Sequence, residues 1–331
     1  MKFDRTQTAF LGIDVAKKTF QAALKLGARY AQRGFSNNQG GFAQLRRWLE
    51  RHADASQIHA TLEATGVHHL ELAVDLHGYL KSVSVVNPRC PKAFAQSQLR
   101  RSKSDPVDAR ILADFTEALK PKPWRAPSQQ ERELKELARR QKSLAGMVAA
   151  EKNRLQDARA ASVRQSIQRH LEGLEEQKEQ IVAELARIIH GDPILRQRLE
   201  LLVSIPGIGE ATALQLVAEL GDVAFCYEKA RDLAAHAGLT PRRRQSGTSV
   251  CSRGGICKIG SSRLRALLYF PAMVAMRHNP IMIRFAHRLR QNGKSGKAIV
   301  VAVMRKLLHC VFGVLKHQRP FNPHSPSSCS T

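Results

Sequence analysis

No aspartate or glutamate follows Asp232, so the last 99 residues carry 17 Lys and Arg without one carboxylate. That third of the chain holds +17 of a formal net charge of +25. A solvated basic face normally interleaves acids, so a stretch with none is built against a polyanion, and nucleic acid is the expected partner; an anionic membrane is the weaker alternative. The six cysteines, at 90, 226, 251, 257, 310 and 329, include no C-x-x-C pair. This excludes a zinc knuckle or a disulfide framework and suits a reducing cytosol. The thirteen histidines form no spaced ligand set, and the pair His68 and His69 reads as a helix start. No signal peptide is expected, because MKFDRTQTAF runs straight into a strand pattern without a long apolar stretch. The longest apolar run, KAIVVAVMRKLLHCVFGVL, is interrupted by Arg305, Lys306 and His309 and reads as a core helix rather than a membrane span. The expected location is the cytoplasm, at the nucleoid, with no membrane partner.

What is present begins with AFLGIDVAKKTFQAALK at 9–25, two strands in hairpin around a turn at Ala16 to Lys18, and ARYAQRGFSNN supplies a third strand. A helix over about 40–52, the strand IHATLEAT, a helix from about Val67, the strand KSVSVVNP and a helix opening near Pro91 follow. Three strands and then strand and helix alternation describe a mixed sheet flanked by helices, the order of a ribonuclease H-like α/β fold. This domain is expected over 1–120. A proline-bearing linker follows at 121–127, then a long helical hairpin of coiled-coil composition at 128–190. A mainly α C-terminal domain is expected over 191–318, and a proline-rich tail at 319–331 is expected to be disordered.

Four acids stand out. In KSDPVDARILADF, Pro106 suits the first helical position, so Asp105 reads as N-cap and Asp108 as a first-turn acid facing exposed amides. Capping alone would account for both. Asp14 in LGIDVA and Glu63 in ATLEAT, however, are each a lone acid in an apolar strand, and a buried carboxylate is costly unless paired or bound to a cation. In a ribonuclease H-like sheet strand one is central with strand four beside it, so Asp14 and Glu63 become neighbours. The helix bearing Asp105 and Asp108 is expected at the same sheet edge. Four such oxygen donors suit Mg²⁺ or Mn²⁺ and phosphodiester transfer.

Farther along, LLVSIPGIGEATALQLVAELGD places Gly207 and Gly209 in a turn between two helices, the spacing of a helix-hairpin-helix whose amides grip a phosphate; plain packing of two helices is the alternative. AGLTPRRRQSGTSVCSRGGICKIGSSRLRALLYF reads as a basic loop leading into a helix, in which Lys258, Arg263 and Arg265 are candidate phosphate clamps.

GIDVAKKTF, LEATGVHH, KSDPVDARILADF, SIPGIGEATALQLVAELGD, AGLTPRRRQSG and GICKIGSSRLRALLYFPAMVAMRHNP together resemble, in order and over nearly the whole chain, the DEDD insertion-sequence transposases, a recombinase family that includes Piv-type DNA invertases. The resemblance implies a RuvC-like catalytic domain, a coiled-coil hairpin and a transposase domain with a catalytic serine. It also implies a structured RNA from the element that pairs with donor and target DNA, and assembly as tetramers, so that a homo-oligomer, dimer to tetramer, is expected. By motif, Asp14, Glu63, Asp105 and Asp108 take the catalytic metal-binding roles and Ser246 that of the nucleophile. Gly247 would allow close approach there, and Arg242, Arg243 and Arg244 would supply cations to the scissile phosphate. No histidine or acid adjoins Ser246 in sequence, so its activator is expected from the carboxylate cluster, in a site composed from both ends of the chain. Gln245 stands where the family often has a small residue. The rival readings are a metal-dependent junction resolvase, a site-specific invertase and a noncatalytic nucleic-acid binding protein.

Overall fold

The protein was analysed as a computed structural model that describes residues 7–64, 66–99, 105–221, 227–242, 244–246, 250–252 and 255–323; the side chains of Asp105, 244–246 and 250–252 lie outside that description. The chain divides into two compact units, Met1–Pro127 and Ser128–Thr331.

In the first unit, β1 (Ala9–Val15), β2 (Thr19–Leu26), β3 (Arg29–Ser36), β4 (Ile58–Glu63) and β5 (Ser82–Val86) form a sheet in the order β3-β2-β1-β4-β5. The first three strands pair antiparallel, and β1–β4 and β4–β5 pair parallel. This mixed sheet matches the ribonuclease H-like expectation. Alternation separates its faces. Leu11, Ile13 and Val15 of β1 and Ile58, Ala60 and Leu62 of β4 are buried in one core with Phe42, Leu45 and Leu49 of α1 (Gln39–Glu50) and Leu72 and Leu76 of α2 (Leu70–His77). Phe10, Gly12 and Asp14 therefore point to the opposite face.

That face is covered by α4 (Asp105–Leu119), on which α3 (Arg89–Ser97) rests through an edge-on contact of Phe94 with Phe115. The helix crosses β1, β2 and β4 and does not sit at the sheet edge, which corrects the placement expected from sequence. Small residues admit it. A Cβ built on Gly12 would lie 2.1 Å from the Ala109 carbonyl oxygen and 2.3 Å from the Ala113 nitrogen, so only glycine fits there.

A polar clamp holds the far end of α4. Lys25 Nζ lies 2.8 Å from Asp114 and 2.6 Å from Glu117, and the Tyr30 hydroxyl donates to Asp114. Burial would lower the Lys25 pKa, but hydrogen bonds to Asp114, Glu117 and Tyr30 outweigh it and hold the ammonium above the ordinary lysine range. Burial, then the bond to Asp114, raises the Tyr30 pKa. Because Asp114 is 8% exposed, Lys25→Met strands a buried charge and should lower unfolding free energy by about 3 kcal/mol. Urea melts check this, and Lys25→Met combined with Asp114→Leu should recover most of the loss.

The 121–127 stretch contains neither helix nor strand but is docked on the first unit. The Ser84 hydroxyl bonds the Pro121 and Lys122 carbonyl oxygens, the Trp124 amide donates to the Val83 carbonyl, and the Trp124 ring meets His77 edge-on.

The second unit opens with α5 (Gln129–Asp157), started by a Ser128–Glu131 capping box, and α6 (Ala161–Gly191). The two lie antiparallel, with Arg140 bonded to Gln177 while Glu151 faces His170, around Leu144, Val148, Leu171 and Leu174. Their roots, Leu134, Ala138, Leu185 and Ile189, join a larger core. That core gathers α7 (Pro193–Val203), α8 (Glu210–Leu220), α9 (Ala230–His236), α10 (Ser262–Leu267), α11 (Tyr269–His278), α12 (Pro280–Gln291) and α13 (Gly296–His317). By length and composition α13 could cross a membrane, yet it buries Ile299, Val303, Leu307, Leu308, Val311 and Leu315 in this core, as the sequence reading expected. Phe321 packs on the same core and its amide donates to the Ser204 hydroxyl at 2.8 Å, while residues 324–331 lie outside the described residues. Cys90 and Cys257 are free thiols.

Candidate active site

Strand register brings two of the expected acids together. β1 and β4 run parallel with Gly12 opposite Thr61 and Ile13 opposite Leu62, so Asp14 and Glu63 are the next residues on adjacent strands. Paired residues in a sheet point the same way, and both acids therefore lie on the face covered by α4. Each is partly exposed.

The direction of α4 brings in the rest. Lys25, opposite Phe10 at the start of β1, bonds Asp114 and Glu117, whereas Gly12 abuts Ala109 and Ala113. The helix thus runs opposite to β1. On β3 the same order recurs, since Tyr30 bonds Asp114 and Gln32 donates to the Pro106 carbonyl at 2.7 Å. Two strand residues advance about 6.6 Å, and one helical turn advances about 5.4 Å. The first turn of α4 therefore extends past Gly12 toward Asp14. Asp108, partly exposed, follows Asp105 by one turn and stands on the same side of the helix as Ala109, Leu112 and Thr116, which are buried. The helix begins at Asp105 itself, one residue before the start read from sequence, and the Asp105 side chain lies outside the described residues.

Ser246 has a defined backbone setting. The segment read as a loop is a two-stranded hairpin, β6 (Arg244–Ser246) against β7 (Val250–Ser252), with Ser246 opposite Val250 at its outer end. Its stem continues through a bridge between Pro241 and Ile256 and a bond from the Arg242 amide to the Gly255 carbonyl. The Arg242 side chain is exposed. Arg243 and Gly247 lie outside the described residues, as do the side chains of Arg244 and Ser246.

The remaining basic and glycine candidates divide by what they touch. A Cβ on Gly207, whose φ is +105°, would come within 2.6 Å of the Ala275 Cβ, so close packing against α11 accounts for this glycine. Gly209 is the exposed N-cap of α8, and Glu210 in the first turn already offsets the helix dipole. Arg265 Nη1 donates to the Ala237 carbonyl at 2.8 Å, tying down the C-terminal end of α9. Arg263 is exposed and close enough to Arg139 to help lower that guanidinium's pKa, after burial. Lys258 is exposed in the left-handed region, at φ 56°.

Comparison with known proteins places the whole chain. A model described as the transposase IS116/IS110/IS902 family matches residues 199–287, and a transposase model of the IS110 DEDD type matches 11–158. The pilin gene-inverting protein of Moraxella bovis is 33% identical over 315 residues, 95% of this chain and 97% of that protein. The chain belongs to the IS110/IS116/IS902 transposase family. The transposase is also 33% identical to the pilin gene-inverting protein of Moraxella lacunata over the same span, and 41% identical over 75 residues to a transposase for insertion sequence element IS1111A of Coxiella burnetii, 23% of this chain and 20% of that one. It is thus a DNA transposase or recombinase.

The DEDD class implies a divalent cation, ordinarily Mg²⁺. The donors at the transposase's N-terminal unit fit one chemically, being hard carboxylate oxygens from two adjacent strands and a facing helix. Among the described residues no three such groups gather closely enough to hold a metal ion.

Sequence reasoning missed Gly12, which sets how close α4 comes, and the clamp of Lys25, Tyr30 and Asp114. A glycine within an apolar strand was the available signal for the first. The second joins residues 84 or more positions apart and leaves no local signature.

Proposed function

We propose that the transposase cuts and rejoins DNA strands through a phosphoserine link to move its own insertion sequence. Asp14, Glu63, Asp105 and Asp108 would hold Mg²⁺ or Mn²⁺. When bound, the metal supplies Lewis-acid stabilisation of charge on the phosphate. The observation that carries this reading is the parallel register that sets Asp14 beside Glu63 on the sheet face that α4 covers. Two clustered acids on such a face make a poor structural core and a good cation seat.

In this reading Ser246 Oγ attacks the scissile phosphorus and the bond to the leaving deoxyribose oxygen breaks. The seryl proton passes to a general base, and the leaving oxygen takes up a proton. A hydroxyl of the second strand then attacks the phosphoserine, and serine is released. The position of Ser246 at the outer end of a short hairpin supports this role, because a hairpin end can reach a strand that a packed core cannot. Arg242, Arg243 and Arg244 neutralise the phosphate. Lys258, Arg263 and Arg265, with the turn at Gly207 and Gly209, are assigned to the nucleic-acid backbone, although Arg265 and Gly207 also serve packing. The partners are the element ends, the target DNA, a structured guide RNA from the element and further copies of the chain, as dimer to tetramer, in the cytoplasm at the nucleoid.

Covalent capture tests the serine. Cells carrying the transposase and its native flanking DNA should yield a protein–DNA adduct that Ser246→Ala abolishes. Cleavage that persists without an adduct in Ser246→Ala would replace the serine mechanism with hydrolysis by a junction resolvase. Site-specific inversion is the second reading, favoured by likeness over 95% of the chain to proteins named for inverting a pilin gene. It uses the same residues, and sequencing of the product junctions separates inversion from insertion.

A further inference from the structure

The acid-free third of the chain encloses a cavity of about 680 Å³ between α12, α13 and the segment 255–258. Its lining combines two properties that rarely meet. Ala298, Val301 and Ala302, on one face of α13, give it an apolar floor together with Leu239 and Ile256. Around that floor stand Lys258, Arg288, Lys297, Arg305 and Lys306, and among the described residues no carboxylate lines it.

These cations are not merely a solvated fringe. Arg305 and Lys306 are half-buried, and the Lys306 ammonium sits 5.1 Å from the centre of the Phe285 ring, with the Arg288 guanidinium 5.5 Å from the same ring. Burial, then Arg288, lowers the Lys306 pKa. Concentrating like charges over an apolar floor is unfavourable unless an anion arrives. Lys258 adds a second sign of a built site, because a lysine held in the left-handed region costs about 1 kcal/mol or more and such strain gathers at ligand sites.

His309 narrows the choice of ligand. It borders the cavity, and its Nε2 is buried without a hydrogen-bond partner among the described residues. Burial, with Arg305 and Lys306 on its own helix, pushes its pKa down to about 4, and Arg288 and Lys258 face the same space. The imidazole is therefore neutral at pH 7 and adds no further charge to the lining. A simple anion would use the cations and leave the floor, Phe285 and His309 unused. Duplex DNA, whose bases are stacked and paired, cannot enter a cavity of this volume.

We propose that the cavity holds one unpaired nucleotide, its base on the apolar floor beside Phe285 and His309 and its phosphate on Arg288, Arg305 and Lys306. The choice of occupant rests on the nucleic-acid reading above, while the site itself lies outside the carboxylate and serine machinery. An extrahelical or single-stranded residue is what strand exchange must expose, and holding it would keep opened strands apart.

The test uses the full-length transposase and fluorescently labelled 12-nucleotide oligothymidylate, its fully abasic counterpart, and a 20-base-pair duplex. Wild type should bind the normal single strand about tenfold more tightly than the abasic strand, the range expected for one held base. Val301→Trp, which fills the floor, should erase that preference and leave duplex affinity within about twofold, whereas Arg305→Gln, which removes a phosphate contact, should weaken normal and abasic strands alike and leave the ratio between them. A 4-thiothymidine strand should photo-crosslink to α12 or α13. Equal affinity for normal and abasic strands, or an undiminished preference in Val301→Trp, overturns the proposal while the transposase reading stands. Failure to bind duplex as well as single strand would overturn that reading, and the cavity proposal with it.

Discussion

Gly12→Ala is expected to abolish recombination by at least a hundredfold without altering any acid of the site. The added methyl would lie 2.1 Å from a backbone carbonyl oxygen and 2.3 Å from a backbone nitrogen of α4, so no side-chain rotation relieves the clash and the helix must move. Overpacking of this kind costs about 1–3 kcal/mol of stability, occasionally more. The functional effect is larger, because α4 carries Asp105 and Asp108, and a displacement of about 1 Å at a catalytic centre costs about a hundredfold in rate. Lys25 and Tyr30 still anchor the far end of the helix, so the protein should remain folded. Circular dichroism melts together with a strand-exchange assay on native flanking DNA check the prediction. A folded Gly12→Ala protein with full activity would remove the placement of α4 from the mechanism.

Asp14→Asn and Glu63→Gln should each reduce DNA cleavage by about a thousandfold or more, the consequence of losing several kcal/mol of transition-state stabilisation at 1.36 kcal/mol per decade. Nucleic-acid affinity should stay near wild type, since 17 of the chain's Lys and Arg follow Asp232, in the C-terminal unit. Stability should hold or rise slightly, because neutralising one of two adjacent carboxylates relieves like-charge repulsion. Three readouts separate a cation seat from structural acids: cleavage with Mg²⁺ or Mn²⁺, Mg²⁺ uptake by calorimetry, and thermal melts. A lowered Tm with unchanged Mg²⁺ uptake would return these residues to a structural role.

The sequence carried much of this site in local form. Strict alternation in LGIDVA and IHATLEAT identified Asp14 and Glu63 as lone acids on apolar strands, and Pro106 announced a helix start between two more acids. The absence of carboxylates after Asp232 marked the region where the cation-lined cavity lies. Arg305, Lys306 and His309 were visible only as interruptions of an apolar helix, because α13 alone does not show what packs over it; Phe285, Arg288 and Lys258 complete the cavity from other elements. The basic segment around Ser246 read as a loop because arginine, serine and glycine carry little strand preference, and its β pairing comes from the cross-strand partners 244–252 and 246–250.

By itself, the sequence determined the order of strands and helices in the first unit and the family, and it marked Asp14 and Glu63 as lone acids on apolar strands, since each is written in residue type and short-range spacing. Tertiary structure alone decided that α4 lies across the sheet face and runs against β1, that Gly12 fixes its approach, and that Lys25 reaches Asp114. Periodicity states which face of an element is apolar, but partner, direction and distance follow from contacts between residues far apart in the chain, where steric fit and buried charge choose among arrangements that local pattern leaves equal.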